Sequence, residues 1–83
     1  MWYLYIARCG DGSLYTGITT DLKNRIKKHK AGRGSAYVRS KGFASIIYEE
    51  ACPDESTARR REYEIKGWSR QKKFSLIATP SKI

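Results

Sequence analysis

The stretch WYLYIARCGDGSLYTGI, residues 2–18, predicts a β-hairpin at the start of the chain. Residues 2–9 are apolar or aromatic on both faces, which is typical of a well-buried strand. Gly10-Asp11-Gly12 supplies turn chemistry, and the β-branched and aromatic residues at 13–18 form the returning strand. The hairpin is therefore the first element of the predicted fold.

The length of the turn decides where two tyrosines of this hairpin lie. A three-residue loop places position 9 opposite 13, so that Tyr5 and Tyr15 become diagonal neighbours on one face of the sheet. A loop with an even number of residues would put them on opposite faces. Simple packing of two aromatic side chains in a sheet also accounts for the pair, so the pattern alone leaves both interpretations open.

The rest of the chain predicts helices packed on a small sheet. Thr19-Thr20-Asp21 offers N-cap candidates for a helix over 21–31 that ends at Gly32. The other predicted elements are a basic loop between Gly32 and Gly42, a strand over 43–48, a helix over 55–69 and a short helix over 71–78. The order β-β-α-β-α-α indicates one α+β domain over 1–83, with a three-stranded antiparallel sheet.

Charge and length restrict the classes of function. The 83 residues include 17 Lys and Arg against 8 Asp and Glu, a net charge of +9. Such a field suits a polyanion, and a phosphate backbone is favoured over an anionic membrane surface. Solubility also accounts for part of the excess. No apolar run approaches the ~18 residues of a membrane span, and the first residues lack signal-peptide features, so a cytoplasmic protein is expected.

Two helices carry ionisable residues on faces that should meet the sheet. Arg25 and His29 are four residues apart and face the same way, beside Leu22 and Ile26. Such a histidine is often only a satisfied structural residue. Glu62 shares a stripe with apolar residues, so its carboxylate must be paired or bound to a cation. A salt bridge to Arg25 and a ligand position for a divalent ion are both consistent with the spacing.

The segment after residue 58 is dense in basic residues and includes the aromatic Trp68. A solvated helix face and a track for phosphates are both possible for it. The candidate nucleic-acid contacts in the chain are Arg39, Lys41, Arg59, Lys66 and Arg70. The two cysteines, Cys9 and Cys52, do not form a disulfide framework or a metal motif and are expected to be small, reduced hydrophobes near strand ends.

Taken together, these residues resemble the GIY-YIG nuclease superfamily. Tyr3-Leu4-Tyr5 stands where the family has G-I-Y, and Tyr15-Thr16-Gly17 stands where it has Y-I-G. Residues 19–29 look like the helix that carries the family's arginine, and residues 58–66 look like the helix that carries its glutamate. The likeness covers nearly the whole chain and is greatest to small stand-alone bacterial proteins of the YhbQ type.

The resemblance implies hydrolysis of phosphodiester bonds with one divalent ion, Mg²⁺ or Mn²⁺. Carried over by position, Glu62 would bind the ion and Arg25 the scissile phosphate. One of Tyr5 or Tyr15, or a water between them, would take the proton of the nucleophile, and His29 would orient or relay protons. Gly17, which has no side chain, would allow close approach at the backbone of this strand.

Three classes of function follow in order of preference. The first is a nuclease, with DNA favoured over RNA as substrate, a role in DNA repair suggested by relatives, and no obligate protein partner inferred. The second is a module that binds nucleic acid with weak or no turnover. The third is a protein-interaction adaptor, which would leave the placement of Tyr5, Tyr15, Arg25 and Glu62 unexplained.

Overall fold

A computed structural model describes residues 1–78 and confirms the predicted α+β class, with a three-stranded antiparallel sheet and helices packed on it. Residues 79–83 of the predicted domain lie outside the described part. Along the chain the elements are β1 (Trp2–Cys9), β2 (Leu14–Thr19), α1 (Leu22–Lys30), α2 (Ala36–Lys41), β3 (Phe43–Cys52), α3 (Glu55–Lys66) and α4 (Arg70–Ala78).

The hairpin has the odd-numbered register that places the two tyrosines on one face. The backbone N–H of Cys9 donates to the carbonyl of Ser13 at 2.8 Å. Gly12, with φ of +88°, provides the left-handed residue that closes the turn. Tyr5 consequently lies opposite Gly17, and Ala7 opposite Tyr15.

The strand order β2-β1-β3 makes β1 the central strand, and its alternate residues serve two different layers. Leu4 and Ile6 are fully buried in a core cluster with Ala58 and Ile65 of α3. Tyr5, also fully buried, points to the opposite face, where α1 packs. The sheet thus separates an apolar layer from a polar and aromatic one.

The prediction of a loop over residues 32–42 was wrong in part, because residues 36–41 form the short helix α2. The Ser35 hydroxyl caps it by accepting from the N–H of Val38 at 3.2 Å. Val38 is buried, and Gly42, with φ of +84°, ends the helix. A helix of six residues has too short an apolar pattern to be distinguished from a loop in the sequence.

The ends of β3 and α3 also differ from the predicted ones. Strand β3 continues to Cys52 rather than ending at 48, because Glu50 and Cys52 still pair with Leu4 and Trp2 of β1. The carboxylate of Glu50 is satisfied there by Arg61 at 3.0 Å. Helix α3 ends at Lys66 rather than 69, with Gly67 as its C-cap. Its start at Glu55 agrees with the prediction, and the carboxylate of the N-cap residue Asp54 accepts from the N–H of Thr57 at 2.8 Å.

Both cysteines are reduced and buried. Cys9 and Cys52 are free and buried near strand ends, as expected. Within residues 1–78, every helix is too short or too polar to cross a lipid bilayer.

The docking of α3 on the sheet can be tested at Ile65, a fully buried residue of the core cluster. We expect Ile65→Val to lower the free energy of unfolding by about 0.5–1.5 kcal/mol, because a buried methylene is lost. Urea denaturation measures the change. The control is Tyr63→Ala on the same helix, where the side chain is 84% exposed and should matter little. Equal effects of the two substitutions would contradict the assigned core.

Candidate active site

The face of the sheet opposite the apolar core carries a cluster of two tyrosines and a histidine. The Tyr5 hydroxyl and Nε2 of His29 share a hydrogen bond of 2.9 Å. The rings of Tyr5 and Tyr15 lie 6.3 Å apart between centroids, and the His29 ring meets both edge-on at 5.7 and 5.9 Å. The structure therefore brings together three of the predicted site residues.

Helix α1 and strand β3 hold His29 in this position. Helix α1 is capped by Asp21, whose carboxylate accepts from the N–H of Asn24 at 3.1 Å, and His29 lies in its last turn. The ring stacks on Phe43 of β3, with centroids 5.5 Å apart and planes 11° from parallel. His29 is almost completely buried, and its Nδ1 has no hydrogen-bond partner among the residues described.

Two glycines make room for this cluster, and neither has a positive φ. A Cβ on Gly17 would lie 2.6 Å from the Tyr5 hydroxyl oxygen, and a Cβ on Gly34 would overlap Nδ1 of His29. Space, rather than backbone conformation, therefore requires glycine at both positions. In the structure the Tyr5 phenol uses the space over Gly17.

Arg25 lies beside the cluster on α1 and acts on it electrostatically. Its Nη1 donates to the carbonyl of Gly34 at 3.4 Å. Its guanidinium lowers the pKa of His29 and opposes the rise in the pKa of Tyr5. The salt bridge from Arg25 to Glu62, one of the two sequence alternatives, is absent among residues 1–78. Arg25 is thus a cation with its charge uncompensated by any ion pair in that range.

The buried environment keeps both hydrogen-bonded partners neutral at neutral pH. Burial, followed by the neighbouring Tyr15, raises the pKa of Tyr5 well above 10.0. Burial and the charge of Arg25 lower the pKa of His29 below 6.5. Tyr5 is therefore protonated, and His29 presents an uncharged ring.

Glu62 approaches the cluster from α3 and does not point into bulk water. Its side chain is 20% exposed, and its Oε2 forms an ion pair of 3.1 Å with Nζ of Lys66. The same Nζ lies 5.9 Å from the ring centroid of Tyr15. Glu62 is also close enough to Tyr5 to contribute to the raised pKa of that phenol. One turn of α3 therefore borders the tyrosines with a carboxylate and an ammonium.

The donor set fits a hard divalent ion only in part. Within residues 1–78, no group of three His, Cys, Asp or Glu could enclose a metal. A single carboxylate such as Glu62 is nevertheless sufficient for Mg²⁺ when phosphate oxygens and waters complete its coordination. These residues therefore suit an ion shared with a phosphate-containing ligand and do not suit a structural zinc.

The predicted nucleic-acid contacts are distributed unevenly. Lys66 lies at the cluster, and Lys41 lies 5.7 Å from the ring centroid of Tyr37, which stacks on Tyr15. Arg70 donates to the carbonyl of Gly12 at 2.7 Å and so lies against the hairpin turn.

The other basic candidates and Trp68 are less close to the tyrosines. Arg39 is exposed on α2, and Arg59 is paired with Glu55 at 2.6 Å. No interaction within residues 1–78 joins Arg59 to the cluster. The Trp68 ring is partly buried against the apolar core, and the cations of Arg61 and Lys72 lie 5.4 Å and 4.5 Å from its centroid.

Sequence reasoning did not select three residues that shape the site: Gly34, Tyr37 and Phe43. The sequence did contain a signal for Gly34, because two glycines, Gly32 and Gly34, follow α1 and one of them is enough to end the helix. Gly32 has φ of +77° and meets that need, which leaves Gly34 to be explained by close packing.

Comparison with known proteins finds relatives that match nearly all of this chain. Residues 1–75 match the GIY-YIG catalytic domain family. A UPF0213 protein of Staphylococcus saprophyticus is 47% identical over 92% of this chain and 93% of its own length. One from Desulfotalea psychrophila is 43% identical over 98% of this chain and 74% of its own. The solution NMR structure of a UPF0213 protein from Bacillus halodurans has a TM-score of 0.60 and 48% identity, covering 94% and 84% of the two chains.

The packing at Gly34 gives a direct test. We expect Gly34→Ala to lower the free energy of unfolding by about 1–3 kcal/mol and to shift the NMR signals of the His29 ring, because the added methyl overlaps Nδ1. Gly67→Ala is the matched control. Its φ is −81°, and the added Cβ would meet its nearest neighbour at an ordinary 3.5 Å. Unchanged His29 signals in Gly34→Ala would contradict the packing.

The depressed pKa of His29 predicts a pH-dependent stability. Below pH 6.5 the unfolded chain binds a proton that the folded chain excludes, so the free energy of unfolding should fall as the pH falls. The loss is at most about 1.4 kcal/mol per pH unit. Urea denaturation at pH 7.5 and 5.5 measures it, and His29→Gln should show a smaller difference. An equal difference in the variant would assign the titration to another group.

Proposed function

The chain belongs to the GIY-YIG catalytic domain family, and from that premise we propose that it hydrolyses phosphodiester bonds in DNA with one divalent ion. Membership itself supports nuclease-like chemistry on nucleic acid. The observation that carries the proposal is the meeting of the Tyr5, Tyr15 and His29 cluster with Arg25 on one side and Glu62 on the other. A purely structural cluster has no need of an unpaired arginine and a nearby carboxylate.

Arg25 is the proposed ligand of the scissile phosphate. It has no ion pair among residues 1–78, and its guanidinium is partly exposed, so its charge is available to an anion. A fixed guanidinium can donate two hydrogen bonds to phosphate oxygens and stabilise the additional negative charge of the transition state. The contact with the Gly34 carbonyl limits the directions in which the side chain can swing.

The two tyrosines have different roles in this proposal. Tyr5 is fully buried with a raised pKa, so it is poorly suited to meet the nucleophile directly. Tyr15 is partly exposed and stands in front of it, which makes Tyr15 the phenol that orients the attacking water. Tyr5 and the neutral His29 share one hydrogen bond, and this pair is proposed to fix the position of the Tyr15 ring, with His29 orienting or relaying protons.

Glu62 is the proposed ligand of the ion, Mg²⁺ or Mn²⁺. Such an ion, when bound, supplies stabilisation of the negative charge that develops on the phosphate. The carboxylate is held by Lys66 at 3.1 Å, so ion and substrate binding would release this ammonium toward a phosphate oxygen. Gly17 is proposed to serve the site by leaving room for the Tyr5 phenol, which lies over it in the space where close approach of the ligand was expected. A single domain over 1–83, a role in DNA repair and a cytoplasmic location stay predictions.

A non-catalytic binding module is the second candidate. The ion pair between Glu62 and Lys66 favours it, because the pair neutralises the Glu62 carboxylate while the net charge of +9 still attracts a polyanion. The two candidates differ in whether metal-dependent products form.

Substitution at Glu62 separates them. We expect Glu62→Gln to reduce cleavage of branched, nicked or single-stranded DNA in Mg²⁺ or Mn²⁺ on the order of 100-fold or more, while binding persists, because the charge that holds the ion is removed. Gel analysis of labelled products measures this. Glu64→Gln is the control, since Glu64 is exposed and is paired with Arg61 at 3.0 Å, away from the tyrosines. Salt-sensitive binding by the wild type without metal-dependent products on any substrate would support the module instead.

A further inference from the structure

One exposed aromatic residue at the site has no role in the proposed chemistry. Tyr37 of α2 is 42% exposed, and its ring stacks on that of Tyr15, with centroids 5.9 Å apart and planes 26° from parallel. Tyr15 in turn contacts the rings of Tyr5 and His29. A continuous column of rings therefore runs from the buried cluster to the surface and ends at Tyr37.

Ammonium groups flank this column near its exposed end. Nζ of Lys41 lies 5.7 Å from the centroid of the Tyr37 ring, and Nζ of Lys66 lies 5.9 Å from that of Tyr15. Lys41 is half-exposed and paired with Asp11 at 3.4 Å, a surface ion pair that contributes little stability. Its flexible stem can thus move the charge from the ring to an incoming phosphate.

The combination of a stacked, exposed ring and adjacent ammonium groups suits an unpaired nucleotide. In a duplex each base is covered by its neighbours, so only an unpaired base can offer a whole face to an aromatic side chain. Lysines bind phosphates of single and double strands alike. The exposed ring of Tyr37 is therefore the part of this surface that distinguishes the two.

We propose that Tyr37, flanked by Lys41 and Lys66, is a stacking platform for one unpaired base beside the phosphate to be cleaved. The substrate class is then single-stranded nucleic acid, or a duplex with unpaired nucleotides at the cut. This inference rests on the proposed function, because it names the substrate of that same site.

Tyr63 shows that exposure alone does not make such a platform. It is 84% exposed on α3, more than Tyr37, yet within residues 1–78 it stacks on no other ring and has no cation over it. Tyr63 therefore serves as the matched control for loss of an exposed tyrosine.

Binding without cleavage tests the platform. Anisotropy is measured in EDTA with a labelled 12-nucleotide single strand, as DNA and as RNA, and with its 12-base-pair DNA duplex. We expect Tyr37→Ala to weaken single-strand binding about 5- to 150-fold and duplex binding less than 2-fold. Tyr37→Trp should keep the affinity, Tyr63→Ala should change neither value, and 2-aminopurine in the single strand should lose fluorescence on binding only when residue 37 is aromatic. The difference between the DNA and RNA arms identifies which single strand is preferred.

The possible results separate this inference from the proposed function. If Tyr37→Ala weakens single strand and duplex equally, or neither, while the wild type binds and Glu62-dependent cleavage persists, the platform is overturned and the nuclease proposal stands. A wild-type chain that binds neither probe overturns both. Thermal unfolding of each variant, together with the aromatic Tyr37→Trp, separates loss of stacking from loss of folding.

Discussion

The hydrogen bond between the Tyr5 hydroxyl and His29 is the interaction on which the organisation of this domain depends. It joins the central strand to α1 across a layer where apolar packing alone would not fix direction. Both partners are buried and uncharged at neutral pH, so loss of either would leave a buried polar atom of the other unsatisfied, at a cost of about 1–3 kcal/mol. The bond exists because Gly17 and Gly34 leave the two rings enough room.

The two faces of the sheet divide the work of stability and chemistry. One face holds the aliphatic cluster of Leu4 and Ile6 against α3, and the other holds the tyrosines and the histidine. The carboxylate and the ammonium arrive from α3, the helix that is anchored by the aliphatic face. The position of Glu62 relative to Tyr15 is therefore fixed by packing that lies on the other side of the sheet.

The sequence predicted the features that follow from local chemistry. The hairpin and the start of α1 were predicted from the turn residues Gly10-Asp11-Gly12 and the N-cap candidate Asp21, which act through short-range hydrogen bonds. The odd-numbered register was one of two alternatives left open by the turn, and Asp54 was not selected as a cap. Helix α2 was not predicted, because a helix of six residues in which Val38 is the buried residue shows no repeat of apolar positions. The contact of Gly34 with His29 was also missed, since it depends on how the segment after α1 returns to the helix.

Side chains of β1 alternate between the two faces of the sheet, and this alternation restricts where residues can be inserted or deleted. Adding or deleting one residue within the strand would turn Leu4 and Ile6 to the tyrosine face and Tyr5 to the apolar face, which would disrupt both layers at once. Point substitutions can still explore the surface. Variation in length should therefore be confined to the segments between elements and to irregular positions such as those in β3, whose pairing with β1 already shifts register at two places.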